Sequence, residues 1–270
     1  MNIRLFLLCT MSTGFTLYTK SACIIIHGTW AKNEKWYQAQ GDFFHEIDTA
    51  NTYLKLADEV VSFSWSGKLG YPEQIKAANI LTEKILAYDF VILIGHSHGV
   101  TVGILSSIDL GEKNSLSNND SKIKKFYALG VPVDSESSIY PDMSVVDHFY
   151  NIFSFGDIIQ PVHGLHKRVF LKHDRITNIA IQLDDLHPHH MKLHHPAIGK
   201  HLLAIPDIYN KNKIGNFEYF EHGRPAEILF YTYKFPEYHF YDELEKTIQT
   251  DKKAFELLQY AFFRSKKDLQ

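Results

Sequence analysis

A chain of 270 residues with 45% hydrophobic content is long enough to bury one large core, and α/β domains of about 200–250 residues commonly stay undivided. A net charge of -3 and a pI near 6.6 exclude the broad basic surface that nucleic acid or an anionic membrane would require. The two cysteines, Cys9 and Cys23, form no CxxC pair and no metal-ligand spacing, so neither a disulfide framework nor a cysteine metal site is implied.

Residues 1–22 support two readings. Arg4 ahead of the apolar run Leu5-Phe6-Leu7-Leu8-Cys9, the small pair Ser21-Ala22 and the lack of acidic residues before Glu34 suit a signal peptide, too short to be a transmembrane helix. The Thr, Phe and Tyr content of the same stretch also suits an edge hairpin. The first reading implies export and the second a cytoplasmic protein.

Beyond this segment, short β-branched or aromatic runs alternate with helical patterns, the signature of βαβ units and a mostly parallel sheet. Strands are predicted at residues 23–26, 60–65, 90–94, 125–129, 148–155 and 176–183. A helix is predicted at 72–87, where Pro72 suits the first turn and Ile75, Ala78, Leu81 and Ile85 share a face. Residues 111–122, rich in Asn and Ser, read as a surface loop. Residues 23–205 therefore form one expected α/β domain. From 206 to 270 the character changes: an aromatic strand-like run at 228–233 precedes a helical pattern at 242–264 carrying Leu244, Ile248, Phe255, Leu258 and Phe262. Apolar stripes at this spacing usually face a core, so an extension packed on the domain is expected.

The most informative stretch is Gly95-His96-Ser97-His98-Gly99, directly behind the apolar run 90–94 and ahead of a small-faced helical run from Val100. A serine between glycines at this spacing, on a strand-to-helix turn, reads as a nucleophile elbow. An alcohol is a weak nucleophile at neutral pH, so Ser97 needs a base within reach and an acid to orient that base. For the acid, Asp157 follows Gly156 at the end of the 148–155 strand. Asp134 is its rival, whereas Asp147 precedes its strand and falls at the opposite edge.

Histidine is abundant where the base is wanted: His187, His189, His190, His194, His195 and His201 all follow the last strand. His201 lies inside a helix opened by Pro196, which disfavours it; His190 is preferred, with His189 and His187 as alternatives. The His-Pro-His-His run lacks the HExxH spacing of a helical zinc site, so no catalytic metal is expected.

Acyl transfer also requires donors for an oxyanion. The backbone amide of His98, at a helix start, supplies one, and the turn Ile26-His27-Gly28-Thr29-Trp30 supplies another through the Thr29 amide, with Trp30 second. His27 and His96 are expected to pack beneath the site. Trp30 and Trp65 could line an acyl pocket or serve as structural aromatics.

With HGTW at 27–30, GHSHG at 95–99, GD at 156–157 and a late histidine loop in this order, residues 22–205 resemble the α/β-hydrolase superfamily near its lipase and esterase branches. The resemblance implies an α/β-hydrolase fold and a serine hydrolase cleaving carboxylic esters of small-molecule acyl or lipid substrates without a cofactor. Ser97, Asp157 and His190 would be the triad, and Thr29 and His98 the oxyanion donors. Acyl transfer and amide or peptide cleavage use the same constellation, and an inert elbow would leave a binding module. Where this fold often inserts a lid, residues 131–144 offer only a short polar loop, which argues against a large apolar flap.

Overall fold

A computed structural model describes residues 20–114, 122–133, 140–159, 168–170, 173–184, 186–206, 214–221 and 224–232. The N-terminal segment, Asp134 and the helical pattern at 242–264 lie outside the described residues. Strands β1 (Ser21–Ile26), β2 (Glu59–Phe63), β3 (Phe90–His96), β4 (Ile123–Leu129), β5 (Phe149–Phe153) and β6 (Ile176–Leu183) pair in parallel, and β7 (Ile214–Glu221) and β8 (Arg224–Thr232) form an antiparallel hairpin. Pairing of β8 with β6 completes one eight-stranded sheet in the order β2-β1-β3-β4-β5-β6-β8-β7.

The central strands are apolar throughout because both faces are covered. In β1 every residue is buried, and its side chains alternate between two cores. Ala22, Ile24 and Ile26 meet helices α2 (Tyr71–Leu86) and α3 (His98–Asn114), while Cys23 and Ile25 meet α1 (Asp42–Leu54) and α4 (Pro196–Leu202). Burial pushes the Cys23 thiol pKa up, consistent with a packing role. This is a mostly parallel sheet flanked by helices on both faces, the architecture of the α/β-hydrolase fold.

The chain leaves β1 for β2 on one side and returns to β3 on the other, so β1 and β3 mark a topological switch point. In open α/β sheets, loops at the carboxyl ends of such strands diverge and leave a crevice. The turn after β1 and the elbow after β3 both lie at that edge.

Several predicted boundaries shift. Strand β2 stops at Phe63 rather than continuing to Trp65, β4 starts at Ile123, and β5 spans Phe149–Phe153 rather than 148–155. Helix α2 buries Gln74, Ala77, Ala78, Leu81, Thr82 and Ile85, so the inward face is rotated from the expected one and Ile75 is turned toward solvent. Thr82 tolerates burial because its hydroxyl bonds Ala78 O at 3.0 Å and Ser106 Oγ at 2.9 Å. Helix α1 was not anticipated, although Phe43, Phe44, Ile47 and Asn51 carry a helical period. Its C-cap, Lys55, takes the left-handed conformation at φ 52°, a position for which glycine is the usual cue. Strand β7 also escaped prediction.

Leu81 is fully buried on α2 and its neighbour Ile80 is 56% exposed, so they separate burial from helix propensity. Leu81→Ala is expected to cost about 2–5 kcal/mol in urea unfolding, and Ile80→Ala about 0.5 kcal/mol or less.

Candidate active site

The elbow is built by close approach of backbone to backbone. Ser97 sits at φ 53°, left-handed for a non-glycine residue and worth roughly 1–2 kcal/mol of strain. Its amide donates to Leu129 O at 2.8 Å and its carbonyl accepts from Val100 N at 2.9 Å, so the turn is held from β4 and from the first turn of α3. A Cβ at Gly95 would fall 2.9 Å from Val100 Cα, and one at Gly99 would fall 2.5 Å from His27 O. Both glycines are therefore required for α3 to pack against the ends of β3 and β1. Gly28 brings the β1 loop to the elbow itself: its Cβ would meet Ser97 Cβ at 3.0 Å.

Asp157 is fully buried behind β5, and His190, also buried, opens a short 3-10 turn (His190–His194) after β6. His190 Nδ1 lies 2.7 Å from Asp157 Oδ2. This bond places the Nδ1 proton between ring and carboxylate and leaves Nε2 to accept a proton. The other carboxylate oxygen, Oδ1, accepts from Ile159 N at 2.9 Å, and buried Arg168 donates from Nη2 to the Asp157 carbonyl at 2.9 Å. Asp147, by contrast, pairs with Lys124 at 3.1 Å at the far edge.

The pair is brought to the elbow through His96, which precedes the serine. His96 Nε2 donates to His190 O at 3.1 Å, and the two rings lie 4.6 Å apart. Burial, followed by the nearby His190 and His194, holds the His96 pKa well below the usual imidazole range, so it serves as a neutral donor. His27 is likewise kept neutral mainly by burial: its Nδ1 donates to Gly28 O at 2.7 Å and its Nε2 accepts from Trp65 N at 3.1 Å. Trp65 is buried and its indole donates to His27 O at 2.7 Å. Trp30 is 67% exposed at φ 60°, and its amide donates to Gly67 O at 2.8 Å. Thr29 and His98, the expected oxyanion pair, are joined through side chains, with Thr29 Oγ1 2.9 Å from His98 Nδ1.

The remaining late histidines have other surroundings. His187 and His189 are exposed; His187 Nε2 is 3.4 Å from Gln182 Nε2. His194 stacks on Trp36 at 4.3 Å, His195 Nδ1 accepts from Ala197 N at 3.3 Å at the start of α4, and His201 stacks on Phe217 at 4.1 Å. Among the described residues, no group of three or more His, Cys, Asp or Glu is arranged to hold a metal. Nor is any helix among them long and apolar enough to cross a membrane.

Gly130 was missed by sequence reasoning. It lies at φ 61° just beyond β4, and its Cβ would fall 2.6 Å from Leu193 Cδ1, 3.1 Å from Asp157 Oδ2 and 3.2 Å from His190 Nδ1. A glycine directly after a predicted strand was the available signal.

No protein-family model matches the chain, and no curated protein matches it. A solved structure from Agrobacterium tumefaciens, of a protein of unknown function assigned provisionally to the α/β hydrolases, is similar over 60% of this chain and 72% of that one, with a TM-score of 0.37 and 12% sequence identity. The strand order and register, rather than this likeness, define the fold.

Two expectations follow. Gly130→Ala introduces both a left-handed alanine and a clash with Leu193, so urea unfolding should show a loss of about 1–3 kcal/mol or more. Burial lowers the His194 and His201 pKa values to about 4, and those of His27 and His96 below the usual value. The unfolded chain therefore binds more protons between pH 6.5 and about 4, and stability rises with pH across that window. The urea midpoint should drop on acidification from pH 7 to 4.5, with a smaller drop in His194→Phe, which keeps a ring against Trp36 but does not titrate.

Proposed function

We propose that this protein is a serine hydrolase acting on carboxylic esters through an acyl-enzyme. The observation that carries the reading is the buried 2.7 Å contact between His190 Nδ1 and Asp157 Oδ2, held through His96 beside a serine at φ 53° on a strand-to-helix turn. Burial of a carboxylate on one ring nitrogen favours the imidazolium that forms when the other takes a proton.

In the proposed sequence, Ser97 Oγ attacks the ester carbonyl carbon while His190 Nε2 accepts the hydroxyl proton. Asp157 keeps the ring oriented and stabilises its positive charge. The amides of Thr29 and His98 hold the oxyanion of the tetrahedral intermediate; the His98 amide belongs to the first turn of α3, where the helix dipole favours negative charge. The His190 proton then passes to the departing alkoxide as the carbonyl–oxygen bond breaks, leaving the acyl group on Ser97. Water repeats the cycle, giving its proton to His190 and its hydroxyl to the acyl carbon, and the carboxylic acid leaves as the serine is reprotonated. No cofactor enters these steps.

Trp30, exposed beside Thr29, is the aromatic suited to contact the ester, whereas Trp65 acts as a structural partner of His27. The substrate class is an accessible small-molecule acyl ester or lipid.

Ser97→Ala should abolish turnover of p-nitrophenyl butyrate and covalent labelling by a fluorophosphonate; undiminished turnover refutes the reading. Asp157→Asn is expected to lower kcat by about 10⁴, and His190→Ala, which removes the base itself, by about 10⁶. His187→Ala and His189→Ala should stay within about threefold of the unmodified enzyme, as expected for groups outside the proton relay.

A further inference from the structure

Thr29 and His98 are 69 positions apart in the chain, yet Thr29 Oγ1 lies 2.9 Å from His98 Nδ1 in a partly buried setting. The contact joins the loop after β1 to the first turn of α3, the two segments that carry the proposed oxyanion amides. Both segments are strained immediately beside it. Trp30, next to Thr29, sits at φ 60°, and Ser97, next to His98, at φ 53°. A bulky residue in the left-handed region persists only where its surroundings over-determine it. On the outer side, Trp30 is restrained by the hydrogen bond that its backbone N–H donates to Gly67 O at 2.8 Å, which turns that N–H toward the loop after β2. On the inner side, Gly99 leaves no room for a Cβ and Gly28 leaves only a tight fit, but close packing fixes separation better than rotation. A directional bond across the gap adds a restraint on rotation.

We propose that the Thr29–His98 side-chain hydrogen bond is a positioning clamp that sets the relative placement of the Thr29 and His98 backbone amides at the oxyanion. The inference rests on the serine-hydrolase reading above. It assigns the two side chains a role distinct from that of their amides: they do not react, but they hold the donors where charge develops. Such donors act only when placed in advance, and an error of about 1 Å in a catalytic contact can cost roughly a hundredfold in rate. The clamp should therefore act on kcat and leave substrate affinity alone, since the developing oxyanion exists only beyond the ground state.

The test uses the full chain, p-nitrophenyl butyrate and four substitutions, with melting temperature followed in parallel. Thr29→Val keeps the side-chain shape and removes the hydroxyl; its kcat is expected to fall about 10- to 100-fold with KM within about twofold. Thr29→Ser, which restores the hydroxyl, should recover most of that loss. His98→Leu should match Thr29→Val, and His98→Asn, whose carboxamide reaches the Nδ1 position, should recover part of the activity. Because Thr29→Val and His98→Leu break one and the same bond, the double variant should be no worse than the poorer single variant.

The clamp is overturned if Thr29→Val keeps kcat within twofold of the unmodified enzyme, if Ser and Val at position 29 lose activity equally, if the loss lies in KM, or if the two losses multiply. Should Thr29→Val not fold, the Leu and Asn variants at position 98 decide by the same criteria. Unmodified protein that neither turns over the ester nor labels at Ser97 overturns the hydrolase reading and the clamp together; an active parent with an unimpaired Thr29→Val overturns the clamp alone.

Discussion

The candidate site depends on how closely the end of β1 can approach the elbow after β3. Parallel strands set their backbones about 4.8 Å apart, but the loops that leave them normally diverge to clear their side chains. Here Gly28, Gly95 and Gly99 remove the Cβ atoms that would keep α3, β1 and the serine turn apart. The resulting contact is dense in backbone polar groups, so the amides and carbonyls that meet there must be satisfied within the turn or used by a ligand. Ser97 held at a left-handed φ, with its amide bonded to β4, follows from that approach.

Around this turn, burial separates histidines that the sequence leaves equivalent. His27 and His96 are buried, and desolvation, more than their cationic or titratable neighbours, favours the uncharged ring and makes each a fixed donor beneath the elbow. His194 and His201 are flattened against aromatic rings and depressed by the same desolvation. His190 alone of the late group faces a buried carboxylate at hydrogen-bond distance among the described contacts. A single residue type thus provides packing, a helix cap and a proposed proton carrier. The environment of each ring, rather than its place in the run, divides these roles.

Gly130 shows how tightly the Asp157–His190 pair is enclosed. With a left-handed glycine packed between Leu193, Asp157 and His190, the region has little room for relaxation, and the pair is fixed from three strand ends, β4, β5 and β6. Arg168, buried and donating to the Asp157 carbonyl, stiffens the same loop from behind. A pair fixed in this way has little conformational freedom left to lose, which is what the proposed general-base step requires.

Much of the fold was legible because buried parallel strands are continuous apolar runs and their crossover helices carry a 3.6-residue period, both local patterns. Helix α1 was overlooked because glycine precedes it and a left-handed lysine closes it, so neither end bears the usual side-chain signal. Strand β7 was overlooked because its place at the sheet edge comes from pairing with β8, a contact between segments rather than a property of one.

What the sequence determined alone was the alternation of strands and helices and the elbow that follows β3, since steric demands at GxSxG act within a few residues. The tertiary structure decided which late imidazole meets Asp157, that Trp65 turns inward under His27, and that the Thr29 and His98 side chains touch. These depend on distances between residues far apart in the chain, and such distances exist only once the strands are ordered in the sheet.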